Sequence, residues 1–217
     1  MEEEVATVFI SFEGIDGAGK TTQIRAIEDY LTEIDIPFIS LREPGGTGVG
    51  EEIRRLLKDP KYGPLEPATE VFLLSASRRQ ILVEEVGPAL QDKTWVILDR
   101  YVDSTTAYQA YGRGLDLEMV ESVNSLATEG ILPQYTFLLD IDPEIARTRF
   151  KQRGNANSDR IEAESLDDEG FSFMKRVREG YLALERKYPE RYIKIDAAAS
   201  QEDITHEILN YIKEWTK

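Results

Sequence analysis

A buried strand that runs into a glycine loop and out into a helix constrains this chain more than any other feature. Val5–Phe12 ("VATVFISF") is a short apolar, β-branched run of the kind that forms a buried strand. "GIDGAGKT" (14–21) follows it and fits the pattern G-x-x-x-x-G-K-[ST]. Beyond the loop, Ile24, Ile27, Leu31 and Ile34 recur at helical spacing, so the loop opens a helix. In that context each residue type has a task. Gly14, Gly17 and Gly19 let the backbone turn so that the N–H groups along Gly14, Ile15, Asp16, Gly17, Ala18 and Gly19 face phosphate oxygens. The helix start, Lys20 to Thr22, adds the positive end of its dipole. Lys20 neutralises the β- and γ-phosphates, and Thr21 offers a hydroxyl to magnesium. The stretch predicts a nucleoside triphosphate site.

The rest of the chain repeats the alternation. Ile36–Leu41, "TWVILD" (94–99), "YTFLLDI" (135–141) and "YIKID" (192–196) read as further strands. Helices are expected over about 51–57, 68–90, 103–110, 116–128 and 143–153, over a stretch ending near Leu184, and over the C-terminal segment with Ile204, Ile208 and Ile212. Continuous apolar strands alternating with helices predict an α/β fold in three layers, a five-stranded parallel sheet flanked by helices. No linker or repeat divides residues 1–217, so one P-loop domain is expected.

Charge narrows the partners. With 26 basic and 41 acidic residues the net charge is −15, which disfavours nucleic acid polymers and acidic membranes. No stretch approaches the roughly 20 apolar residues of a membrane span. Zero cysteines exclude disulfides and thiolate chemistry and fit a cytoplasmic location. The single histidine, His206, reads as a surface or packing residue. Any anionic ligand must therefore be small and met by a local cluster of cations.

The ends of two strands supply such a cluster. Arg42 in "REPGG" and Arg100 in "DRY" lie where strand C-termini converge on the ligand crevice of a doubly wound sheet. Asp99, closing "WVILD", is placed to hold magnesium with Thr21. The Asn/Thr-Lys-x-Asp guanine reader of GTPases does not occur. These features favour transfer to a small phosphorylated acceptor over a switch.

"FEGIDGAGKTTQ", "REPGGT", "DRYVDSTTAYQ", "GRGLD" and "DRIEAES", in this order and spacing, resemble the thymidylate kinase family over nearly the whole chain. The resemblance implies phosphorylation of dTMP to dTDP by ATP and magnesium, and a homodimer. It implies that Arg42 and Arg100 hold the acceptor phosphate next to Pro44. Asp16 would contact the sugar 3′-hydroxyl and order the magnesium shell. Arg78 would donate to thymine O4, Ser104 and Thr105 would meet the N3 edge, and Gln109 would lie close by. Tyr101 resembles the tyrosine beneath the deoxyribose, though a core position suits it equally. At the position where many relatives stack a phenylalanine on the base, this chain has Leu74. Phe72 lies two residues away, about 200° around a helix, and does not replace it.

"RTRFKQRGNANSDRIEAE" (147–164) resembles the family's mobile lid over ATP, here taken as about 149–165. Relatives with glycine in the middle of the P-loop, as Gly17 is here, carry catalytic arginines in the lid. Arg149, Arg153 and Arg160 are the candidates, with Arg153 and Arg160 expected to reach the triphosphate. Two other readings fit parts of the pattern: a kinase for another pyrimidine nucleotide or deoxynucleoside, and, more remotely, a P-loop regulatory ATP-binding module.

Overall fold

The computed structural model of the protein describes residues 7–152 and 168–217. Five parallel strands form its sheet: β1 (Phe9–Glu13), β2 (Phe38–Arg42), β3 (Trp95–Asp99), β4 (Tyr135–Asp140) and β5 (Tyr192–Asp196). Their spatial order is β2-β3-β1-β4-β5. All four pairings are parallel, and Asp99 sits in register with both Phe12 and Arg42. Each strand starts no more than four residues from its expected start, and β4 and β5 start on it, because a strand covered on both faces leaves a continuous apolar signature.

Alternation along the strands divides the core between the two faces of the sheet. Ile10, Phe12, Trp95 and Ile97 pack with Ile24 and Ile27 of α1 (Lys20–Glu33) and with Ile208 and Ile212 of α9 (Gln201–Trp215). Phe9, Val96 and Leu98 pack on the other side with Ile81, Leu82 and Val86. His206 is exposed on α9, as expected.

Helix ends follow local chemistry. α1 starts where Gly19 takes a left-handed φ of 98°. In α2 (Gly48–Lys58), Thr47 caps the start by accepting from the Gly50 N–H at 3.0 Å. α3 (Pro67–Ile81) starts on a proline, which lacks an N–H that the first turn has no use for.

Two expected helices are interrupted. The stretch 68–90 is not one helix: α3 passes into a widened, π-helical turn at Leu82–Val86 before α4 (Gly87–Gln91). Pro88 offers no N–H to the preceding turn and crowds its carbonyl, and the widening accommodates both. The stretch 103–110 becomes α5 (Val102–Thr105) followed by a π-helical segment, Thr106–Gly112. That segment packs against α8 (Asp168–Lys187), where Phe173 is so close that a Cβ on Gly112 would come within 2.5 Å. The remaining α-helices among the described residues are α6 (Leu117–Thr128) and α7 (Pro143–Gln152). The lid expected at 149–165, with Arg153 and Arg160, lies largely outside the described residues.

Candidate active site

The cradle forms where β1 ends. Gly14 and Gly17 take φ of 135° and 86°, and a Cβ on Gly14 would stand 2.5 Å from the Leu139 carbonyl oxygen of β4. Gly14 is required both for its backbone angle and for its closeness to the next strand. Lys20 is buried and donates to the Gly14 and Ile15 carbonyls at 2.9 and 3.2 Å. Burial first, then the Arg100 charge, bring its ammonium down to about 8, against the pull of Asp16, Asp99 and Glu13.

Thr21 and Asp99 face each other, Oγ1 to Oδ2, at 3.5 Å. The other Asp99 oxygen, Oδ1, is buried without a hydrogen-bond partner. A hydroxyl opposite a carboxylate with an unused oxygen suits a hard cation that completes its shell with phosphate and water.

Arg100 enters from the adjacent strand. Its φ of 73° is a left-handed backbone that a non-glycine residue adopts only when its surroundings fix it. Its N–H is bound by the Phe12 carbonyl at 3.0 Å. Nη2 meets Asp16 Oδ1 at 2.5 Å, and Nη1 donates to Gly14 O, Ser104 Oγ and Tyr181 OH at 3.1–3.2 Å. Below it lies the Tyr108 ring, 5.1 Å from centroid to guanidinium carbon, with its hydroxyl 3.4 Å from Asp16 Oδ2. Burial alone would raise the Asp16 carboxyl, but Arg100 and Lys20 hold it below the ordinary value. The Gly14 carbonyl thus receives both the cradle's lysine and the arginine of the next strand.

Arg42 ends β2 beside Asp99, half exposed, with Nη2 3.3 Å from Glu51 Oε2. Glu51 also accepts from the Gly46 N–H at 3.1 Å, which fixes the turn after the cis Glu43–Pro44 peptide.

The residues expected to read a base are placed unequally. Tyr101 is wholly buried, edge-on to Phe9 at 5.5 Å with its hydroxyl on the Ile131 carbonyl at 2.8 Å, so it is a core residue and not a floor for the sugar. The left-handed turn at Arg100 sends the next side chain inward. Tyr108 is the aromatic ring that lies against Asp16 and Arg100.

Ser104 faces Glu13, Tyr181 and Arg100 rather than a base edge. Arg78, 1% exposed, donates to Glu43 at 2.8 Å, Asn124 at 2.8 Å and Thr105 at 2.9 Å. Gln109 donates to Glu70 at 3.1 Å, while its Oε1 is buried without a partner. Glu70, Leu74 and Arg78 stand four residues apart on α3, facing Gln109 and Thr105, which are also four apart. Leu74 therefore lies between two polar rungs, and Phe72 points away, 59% exposed.

Glu43 was not foreseen. Burial pushes its carboxyl from 4.5 up to about 7, with Arg78 opposing. The native state therefore binds a proton that the unfolded chain has released. The stabilisation is complete below about pH 4.5 and is lost as pH rises through about 7. Calorimetry from about pH 5 to 8 should show a melting temperature that falls less steeply for Glu43→Gln than for the unsubstituted protein. Equal slopes would mean that Glu43 is ionised throughout.

Glu13, Asn124 and Tyr181 were also missed. Asn124 joins Arg78 to the Val102 carbonyl, 3.2 Å from its Nδ2. Of the lid candidates, Arg149 is described, and its guanidinium binds the Ala197 carbonyl at 2.7 Å. Among the described residues no cluster of three His, Cys, Asp or Glu side chains forms a metal site, and no helix is long and apolar enough to cross a membrane.

A glycine cradle with a buried lysine, a Thr–Asp pair beside it and an arginine aimed at the same carbonyl define a P-loop phosphotransferase. A family model described as thymidylate kinase matches residues 12–208. The chain is 45% identical over 207 residues to the thymidylate kinase of Thermoanaerobacter sp. (strain X514), covering 95% of this chain and 98% of the relative. It is 46% identical over 205 residues to that of Carboxydothermus hydrogenoformans, covering 94% and 96%. The crystal structure of thymidylate kinase from Ehrlichia chaffeensis is similar with a TM-score of 0.75 at 33% identity, covering 96% of this chain and 99% of that one. The chain belongs to the thymidylate kinase family.

Proposed function

We propose that the enzyme transfers the γ-phosphoryl group of ATP to dTMP, giving ADP and dTDP. The observation that carries this reading is Arg100, whose guanidinium spans Asp16 and the Gly14 carbonyl at the mouth of the cradle. An acceptor phosphate placed there by Arg100 and Arg42 lies in line with a triphosphate held along 14–22. A phosphate oxygen of dTMP forms the new P–O bond, and the bond to the β–γ bridging oxygen breaks. The acceptor's second pKa of about 6 makes it an anion already, so no strong base is needed. The protein's work is to bring two anions together and to neutralise charge in the transition state.

Thr21 and Asp99 would hold magnesium, which when bound neutralises charge on the β- and γ-phosphates. Asp16 and Tyr108 lie side by side, so a sugar whose 3′-hydroxyl meets Asp16 rests on the Tyr108 ring. The unpartnered Gln109 Oε1 suits the N3–H donor of thymine, with Arg78 on the O4 side and Leu74 as the apolar wall. The absent aromatic stack costs about 0.5–1.5 kcal/mol of base affinity. Arg153 and Arg160 keep the role given them from sequence. A homodimer and a cytoplasmic location belong to the same reading and rest on the family resemblance.

A coupled assay with ATP and magnesium, comparing dTMP, dUMP, UMP, dCMP and thymidine, tests it. The highest kcat/KM is expected for dTMP. Faster turnover of thymidine would make the protein a nucleoside kinase, and ATP hydrolysis indifferent to every acceptor would make it a regulatory module.

A further inference from the structure

The carboxylate at the end of β1 has no place in the chemistry above, yet it is the best-connected acidic group beside it. Glu13 is fully buried. Its Oε1 accepts from the Tyr101 N–H at 2.7 Å. Its Oε2 accepts from the Ser104 hydroxyl at 2.6 Å and the Tyr181 hydroxyl at 2.9 Å. Those two hydroxyl oxygens, 2.8 Å apart, both accept from Arg100 Nη1 at 3.1 Å.

The direction of these bonds matters. Burial, then the Asp103 charge, push the Glu13 carboxyl up to about 7, so it is ionised above that pH. An ionised carboxylate only accepts, and a guanidinium only donates. A hydroxyl between them gives its single proton to Glu13, or to the other hydroxyl that does, and in either case presents its lone pairs to Arg100. Two such hydroxyls, one on α5 and one on α8, therefore form a socket whose polarity Glu13 fixes.

We propose that Glu13 is a positioning residue for phosphoryl transfer: through Ser104 and Tyr181 it sets the hydroxyl polarity that holds the Arg100 guanidinium at the mouth of the cradle. This rests on the reading of Arg100 as the ligand of the acceptor phosphate. An isosteric Glu13→Gln exposes the logic. With the amide oxygen at the Tyr101 N–H, the NH₂ points at both hydroxyls and turns their protons toward Arg100. With the amide reversed, NH₂ meets N–H. Either arrangement places donor against donor.

The test, run at about pH 8 where Glu13 is ionised, measures steady-state kinetics for dTMP and ATP, ATP affinity without dTMP, and melting temperature for Glu13→Gln, Tyr181→Phe, Arg100→Ala and the Glu13→Gln/Arg100→Ala pair. Glu13→Gln is expected to lower kcat/KM for dTMP about 10- to 100-fold, and Tyr181→Phe about 5- to 10-fold. ATP affinity should change much less than kcat/KM for dTMP in both, since Glu13 acts on residues 14–22 only as the last of the charges that pull on the Lys20 ammonium. In the Arg100→Ala background, Glu13→Gln should add nothing, because its effect passes through that arginine. If Glu13→Gln does not fold, Tyr181→Phe, which keeps the ring, carries the test alone.

Wild-type dTMP kinetics in Glu13→Gln and Tyr181→Phe, with Arg100→Ala impaired, would overturn the positioning role and leave the proposed reaction standing. Equal loss of ATP and dTMP binding, or a full additional loss in the pair, would reduce Glu13 to a structural carboxylate. Full activity in Arg100→Ala would overturn the reading of that arginine and this proposal with it.

Discussion

Arg100→Ala is expected to lower kcat/KM for dTMP by about 10³-fold, the scale seen when a preorganised cation is removed from a phosphoryl or oxyanion site. The loss has two sources in this structure. On the proposed reading the acceptor phosphate would lose its counter-charge, and Asp16 would lose the nearest cation holding it ionised, 2.5 Å away. Lysine is a poor replacement. Arg100 uses both terminal nitrogens for at least five acceptors, on Gly14, Asp16, Ser104, Tyr108 and Tyr181, whereas an ammonium offers three protons from one point. Arg100→Lys should recover less than about a tenth of the lost rate. Turnover at saturating ATP across a dTMP series measures both. A decrease below tenfold for the alanine variant would remove Arg100 from the chemistry.

Arg191→Met is expected to destabilise the fold by about 3–5 kcal/mol, the cost of stranding a buried charge. Arg191 grips Asp103 with two parallel bonds of 2.7 Å, and Asp103 is 3% exposed at its side chain. A third bond, 3.0 Å to Thr136, fastens the same guanidinium to β4. Without it, Asp103 loses its paired cation and faces the Glu13 carboxylate, where only Arg100 opposes the repulsion that already helps raise Glu13 after burial itself. For a chain of this length the melting temperature should fall by about 10 °C. Asp103→Leu combined with Arg191→Met should regain most of it, because an apolar pair of similar volume avoids the desolvation cost. Calorimetry on both variants decides the matter. A single variant that melts with the unsubstituted protein would show that Asp103 is neutralised by other means.

The strands were legible because a parallel sheet writes itself as apolar runs, and the cradle because its glycines answer to backbone geometry alone. Interruption of the helices was harder to see. Residues 82–86 and 106–111 carry no glycine or proline to mark a break, and the widening accompanies Pro88 in one case and the close approach of Phe173 to Gly112 in the other. The tyrosines show a different limit. Tyr101 stands next to Arg100 in sequence and Tyr108 eight residues away, yet the left-handed φ at Arg100 buries the first and leaves the second at Asp16. Nothing in the letters "DRY" announces a left-handed arginine. Glu13 escaped notice because a carboxylate at a strand end ordinarily reads as solvated, and its burial depends on donors from residues 101, 104 and 181.

Glu13 and Asp99 close neighbouring strands that are joined by backbone bonds, with Arg100 N–H on the Phe12 carbonyl. On the proposed reading, the distance from donor to acceptor is set at this seam by the spacing of adjacent strands, about 4.8 Å. An inserted residue at 13–16 or 99–101 would ruin that spacing, while the proline-rich surface stretch 59–67 can lengthen without consequence for the reaction.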